Sequence, residues 1–288
     1  MMHYLKLLRT EQYVKNLFIF APAFFAGRLL DSGVFVAALL VFTAWCLAAS
    51  AIYIFNDYCD INEDRRHPVK KLRPLASGAV DPKNALMLMV TLAIISLAFV
   101  FAFNVEAGYI ILAYMLMNLL YSKWLKHLPV LDVNIIATGF VLRILVGAVA
   151  TSVAPSSWIL LITFLLALFL AFGKRRADVL HFMEGREVRK NIDGYNLTFV
   201  DTVLSILAAV IIVCYIFYTI SPEVQQHYHS RWLYISIVFV INGLLYYMKL
   251  ALVDKISHSP TAILLRNRVI QGTLICWLLV MVYLLYVR

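Results

Sequence analysis

Charge is what this chain has least of. Charged residues fill 14% of the 288 positions and hydrophobic ones 63%, for a mean hydropathy of +0.84. That ratio excludes a soluble domain. The acidic sign is the scarcer, 16 Asp and Glu against 25 Lys and Arg, for a formal net charge of +9. Cysteine is scarce too. Cys46, Cys214 and Cys276 lie in apolar runs and Cys59 lies among carboxylates, with no C-x-x-C spacing. Neither a zinc site nor a disulfide framework is indicated, and packing is the expected role. No internal repeat is visible. Met1 to Asn16 is too polar for a signal h-region, so no cleavage is expected.

Long apolar runs fill the remainder. They are read near residues 17–30, 35–55, 84–103, 107–121, 130–151, 157–172, 201–220, 232–250 and 270–287. An all-α integral membrane protein of about nine transmembrane helices follows, one polytopic domain over 1–288. Three runs fall short of the usual ~20 residues and are expected to be broken, tilted or enclosed by the bundle. With the N-terminus inside, alternation collects Lys6, Arg9, Lys15, the basic clusters at 65–83 and 174–190, Lys123, Lys126 and Lys249 to Arg268 on one side. The other keeps little beyond Arg28, Arg231 and Arg288. The bias predicts a cell-membrane protein with a cytoplasmic N-terminus and an external C-terminus. Basic loops this short and this closely tied to the membrane suit anionic lipid or phosphate, not nucleic acid.

The scarce carboxylates are not scattered. The run ending at Phe55 closes on Asn56, Asp57, Asp60 and Asp64, at helical offsets of zero, one, four and eight. That spacing faces them one way. Carboxylates so close repel unless a cation lies between them, and hard divalent ions such as Mg2+ prefer oxygen ligands completed by substrate phosphates. A magnesium site for a phosphorylated ligand is expected, with Tyr53 one turn earlier. An interfacial tyrosine and a solvated helix end over Glu63 to Arg66 are the plainer alternatives.

Two polar connections, about 57–83 and 173–200, are expected inside, and long loops are often functional. The first adds Arg65, Arg66, His67, Lys70, Lys71 and Arg73 directly after the acids, cations suited to a diphosphate leaving group. The second opens with Gly173, Lys174, Arg175, Arg176, Ala177 and Asp178. Helical spacing would bring Lys174 and Asp178 together, although a positive-inside anchor would look alike. Lys126, Asp132 and Arg143 lie between these loops. Arg143 stands inside an apolar run, which makes it a functional candidate unless it is paired with Asp132 or a backbone carbonyl.

These segments resemble the UbiA-type prenyltransferase superfamily, whose first acidic motif N-D-x-x-D-x-x-x-D is met in full by Asn56, Asp57, Asp60 and Asp64. R-T-E-Q-Y-V-K-N at 9–16, A-I-Y-I-F-N-D-Y-C-D at 51–60, D-R-R-H-P-V-K-K-L-R-P at 64–74, L-K-H at 125–127 and G-K-R-R-A-D at 173–178 are similar to its decaprenyl-phosphate phosphoribosyltransferase branch. Thr10, Tyr13, Asp178 and Asn267 depart from that pattern, where proline, tryptophan, glutamate and aspartate are usual.

The resemblance implies a nine-helix bundle that moves a 5-phosphoribosyl group from phosphoribosyl pyrophosphate to polyprenyl phosphate for a lipid-linked arabinan precursor. It also admits a homotrimer. It implies Mg2+ held by Asn56, Asp57, Asp60 and Asp64, with Asp57, Asp60 and Asp64 catalytic. Lys15, Tyr53, Lys70, Lys71 and Arg73 would grip the sugar phosphate, Lys126, Arg143, Lys174 and Arg175 a phosphate of either substrate, and Asn16, Asp132 and Asp178 would be further substrate contacts. Aromatic prenyltransferases of the superfamily, the nearest rival, carry a second acidic motif where this chain has G-K-R-R-A-D. A cation-coupled transporter would place its carboxylates near mid-membrane on facing repeats.

Overall fold

The computed structural model describes residues 2–66, 69–184, 192, 194–228, 230–254 and 260–287. His67, the basic residues between 185 and 190, His258 and Arg288 lie outside the described residues.

Among the described residues every regular element is a helix, and the elements fall into two compact units, 1–155 and 156–288. In the first, α1 (Met2–Leu8) leads into a 3-10 stretch (Thr10–Phe20), α2 (Ala21–Phe25), α3 (Ser32–Cys59) and α4 (Ile61–Arg66). A 3-10 turn (Lys70–Leu72), α5 (Pro82–Phe103), α6 (Val105–Lys123), a 3-10 turn (Leu125–His127) and α7 (Leu131–Thr151) complete it.

The unit is organised around α3. Its alanines at 38, 44, 48, 49 and 51 are buried, and such small side chains let neighbouring membrane helices approach closely. It packs along α5, α6, α7 and the 3-10 stretch, with the Ser96 hydroxyl donating to the Ala44 carbonyl at 2.6 Å. α3 and α7 are the most enclosed spans, whereas α5 turns Met87, Val90, Ile94, Ile95 and Phe99 outward, as a lipid-facing helix should. Gly147 of α7 lies against the Ile19 carbonyl so tightly that a Cβ there would collide with it. This fixes α7 against the segment carrying Lys15 and Asn16.

The second unit contains α8 (Ser157–Met183), α9 (Leu197–Ile220), α10 (Pro222–His227), a 3-10 turn (Trp232–Ser236), α11 (Ile237–Leu252), α12 (Pro260–Arg266) and α13 (Arg268–Val282). A π turn, Tyr283–Val287, follows α13. Gly173 of α8 is closed off by the Tyr247 hydroxyl of α11, another approach that only a missing Cβ allows.

Among the described residues eight helices are long and apolar enough to cross a membrane, where nine were expected. The difference lies at 17–30. The 3-10 stretch passes into the short α2, with Pro22 in its first turn, and the left-handed Gly27, at φ 68°, lies in the turn that ends the run. The polar connection expected from 173 starts later, because α8 continues to Met183. Lys174 to Leu180 are adequate helix formers, and the change from apolar to charged side chains does not by itself end a helix.

Candidate active site at the carboxyl end of α3

Asn56 and Asp57 occupy the last turns of α3, and the helical path survives the joint into α4. The Asp60 amide donates to the Asn56 carbonyl at 3.0 Å, and the Asp64 amide to the Asp60 carbonyl at 2.8 Å. The expected common face therefore forms. Asp57, Asp60 and Asp64 are 2%, 6% and 3% exposed. Glu63, on the far side of α4, is exposed.

Carboxylates at a helix carboxyl end meet an adverse dipole as well as one another. Cations of the same unit compensate. Arg9 pairs with Asp57, and Lys126, itself buried, pairs with Asp60. Arg73 bridges two acids through Nη1, at 3.1 Å to Asp57 and 2.6 Å to Asp64. The Asn56 amide donates to Asp60 at 3.0 Å and its oxygen accepts from the Ser122 hydroxyl at 3.3 Å. Among the described residues no three acidic, imidazole or thiol groups converge closely enough to enclose an ion by themselves. The donors are nonetheless all oxygens, and Mg2+ needs only one or two carboxylates when substrate phosphates complete its shell. The set fits such an ion.

Local structure delivers the cations. Arg9 has a left-handed backbone, φ 52° and ψ 49°, between α1 and the 3-10 stretch. The turn is tied to α3 by Ser50, whose hydroxyl donates to the Leu8 carbonyl at 2.9 Å and hydrogen bonds the Tyr13 hydroxyl at 2.8 Å. Tyr53 offers its ring, 5.4 Å from the Arg9 guanidinium carbon. Arg73 follows the turn bearing half-buried Lys70 and exposed Lys71. Arg65 donates to the Ala76 carbonyl at 3.3 Å.

A second polar group lies deeper in the unit. Arg143, 4% exposed, donates to the Asn16 side-chain oxygen at 2.9 Å and the Gly139 carbonyl at 2.7 Å. The rings of Trp45, Phe140 and Tyr114 stand 5.2, 5.2 and 5.3 Å from its guanidinium carbon. Asn16 also donates to the Cys46 sulfur at 3.2 Å. Asp132 is buried in the first turn of α7, where the helix dipole favours an acid. Burial pushes the Lys15 ammonium down to about 8, helped by Arg143 and Arg9 and opposed by Glu11.

In the second unit Lys174, Arg175 and Asp178 stand on α8. Lys174 is exposed, while buried Arg175 pairs with Asp178. Arg176 is committed to the scaffold, at 2.6 Å from Asp201 and in contact with the Ala251 carbonyl.

The sequence pattern does not point to Arg9 or Ser122, and it suggests a substrate phosphate for Lys126. The structure pairs Lys126 with Asp60, 66 residues away. The one available signal for Arg9 was its position at the head of R-T-E-Q-Y-V-K-N.

Spanning helices around a charge-balanced acid cluster at a helix end define a multi-pass membrane protein with a polar site. The chain belongs to the UbiA prenyltransferase family, whose profile matches residues 17–267. It is 31% identical to a decaprenyl-phosphate phosphoribosyltransferase of Corynebacterium glutamicum, over 98% of this chain and 86% of that one. The enzyme of the same name from Mycobacterium tuberculosis is 32% identical, over 95% of this chain and 91% of that one. In fold it resembles a UbiA homolog from Archaeoglobus fulgidus bound to GPP and Mg2+, with a TM-score of 0.72, 20% identity and 98% of each chain covered.

Proposed function

We propose that the protein transfers a 5-phosphoribosyl group from phosphoribosyl pyrophosphate to a polyprenyl phosphate such as decaprenyl phosphate, releasing pyrophosphate. This makes it a pentosyltransferase serving lipid-linked arabinan synthesis. The observation that carries the reading is 31% and 32% identity, over 98% and 95% of the chain, to two decaprenyl-phosphate phosphoribosyltransferases. The charge pattern agrees with it. One acidic motif, with Lys174, Arg175 and Arg176 where a second would stand, suits one metal-bound diphosphate and further phosphates held without metal.

Asn56, Asp57, Asp60 and Asp64 would hold Mg2+ together with the diphosphate. Bound there, the ion would supply positive charge against the departing pyrophosphate. Arg73, with Lys70 and Lys71 beside it, adds hydrogen-bonding charge to the same group. Transfer breaks the bond from ribose C1 to the diphosphate oxygen and forms one from C1 to an oxygen of the lipid phosphate. The acceptor is already anionic at neutral pH, so no residue need take a proton from it. Lys15, Asn16 and Arg143 would hold a phosphate monoester, and their fixed positions spare the reaction part of its entropic barrier. The acid site would face the cytoplasm, the side on which the charge bias predicts the N-terminus.

The test is purified protein in lipid with Mg2+, radiolabelled phosphoribosyl pyrophosphate and decaprenyl phosphate, beside Asp60→Ala. Metal-dependent label in the lipid phase, absent from the variant, is expected. Folded protein that labels no lipid would overturn the reading.

A further inference from the structure

We propose that Arg9, Arg73 and Lys126 are exchangeable counter-ions of the aspartate cluster, so that a divalent cation binds tightly only together with a diphosphate. The three side chains then pass from the carboxylates to the phosphate oxygens. The inference rests on the function proposed above only for its class of ligand, a metal-bearing diphosphate.

Charge balance carries the argument. Asp57, Asp60 and Asp64 are met by Arg9, Lys126 and Arg73, three against three, in a place where the acids are almost wholly enclosed. A divalent ion arriving alone would bring two uncompensated charges beside three cations with no other anion to go to, and repulsion is strong where water is sparse. It would also have to take carboxylate oxygens already engaged by nitrogen. A diphosphate arriving with the ion removes both obstacles, giving the displaced cations an anion of their own.

The three are built to move a short way. The Arg9 and Arg73 side chains are 20% and 26% exposed, far more open than the 2% of Asp57. An arginine fork matches phosphate as well as carboxylate. The Tyr53 ring supports the Arg9 guanidinium by its face, an attraction that does not depend on the pairing to Asp57. Lys126 sits on the short turn Leu125–His127 with a flexible four-carbon stem. Ser122, which donates to Asn56, and Asn56, which donates to Asp60, carry no charge and take no part in the exchange.

The experiment is a titration of Mn2+, detected by its electron paramagnetic resonance, onto the full chain in detergent. It is run with and without inorganic pyrophosphate at matched free Mn2+. In the unaltered protein pyrophosphate should tighten Mn2+ binding about tenfold or more, and Mn2+ should tighten pyrophosphate by the same factor. In Arg9→Gln and in Lys126→Met, Mn2+ alone should bind about tenfold tighter than before while pyrophosphate binds more weakly. A scaffold role would not move the two affinities in opposite directions. Equal Mn2+ affinity with and without pyrophosphate in the unaltered protein overturns the proposal. So does a variant that melts normally yet binds Mn2+ no tighter. If neither variant folds, the unaltered protein alone decides. Phosphoribosyl transfer is not read here: coupling without transfer would sink the substrate assignment and leave the exchange standing, and transfer without coupling would do the reverse.

Discussion

Raising the pH should weaken donor capture through Lys15. Burial, with Arg143 and Arg9 nearby, holds its ammonium at about 8 against an ordinary 10.5. Below pH 8 the side chain is charged and can hydrogen bond a phosphate oxygen. Above it the proton is lost and the contact fades. In the pH range where the phosphates are already fully ionised, kcat/KM for the donor should be flat to about 7.5 and fall above 8. The slope approaches tenfold per pH unit until one charge-assisted hydrogen bond is lost, about 1.5–3 kcal/mol or roughly 10- to 150-fold. Bound phosphate stabilises the ammonium, so kcat at saturating donor should fall at higher pH than kcat/KM. Lys15→Arg keeps its charge throughout and should remove the inflection. The assay is initial-rate lipid labelling from pH 7 to 9.5. A flat unaltered profile, or an inflection that survives Lys15→Arg, would refute the reasoning. Stability carries the opposite sign. The folded chain holds fewer protons than the unfolded chain between 8 and 10.5, so this residue's destabilising effect is complete below 8 and gone above 10.5.

Other outcomes follow from the same packing. Asp60→Asn should abolish metal-dependent transfer and, by leaving buried Lys126 without its acid, cost about 3–5 kcal/mol in thermal unfolding. Adding Lys126→Met should restore much of the melting temperature and none of the activity. Gly147→Ala should force the Ile19 backbone away from α7, lowering stability by about 1–3 kcal/mol and raising the donor KM through Lys15 and Asn16. Gly173→Ala should lower the melting temperature by collision with Tyr247, and Tyr247→Phe in the same chain should recover part of the loss. Calorimetry of detergent-solubilised protein, with steady-state rates, checks all three.

The acid face was legible because it is local: a period of 3.6 residues carries Asn56, Asp57, Asp60 and Asp64 to one side whatever surrounds them. Their partners are not local. Arg9 meets Asp57 across 48 residues and Lys126 meets Asp60 across 66, so no spacing rule reveals either pair. Arg143 stood out as an ion inside an apolar run, but its contact with Asn16 spans 127 residues, and its aromatic surround depends on helix packing. Hydropathy found the runs without always finding their ends. It stops α8 where charge begins rather than at Met183, and it reads the 17–30 run as a span although that run joins a 3-10 stretch to a five-residue helix and turns at Gly27.

α3 has 28 residues. At about 1.5 Å per residue it is about 42 Å long, some 12 Å more than a typical hydrocarbon core. For a helix starting at the opposite interface, the surplus falls in its last two turns, the ones that carry Asn56 and Asp57. The acids would then stand at headgroup depth, where the phosphate of a membrane lipid already resides. A lipid acceptor could reach them by lateral diffusion within its own leaflet, its tail never leaving hydrocarbon.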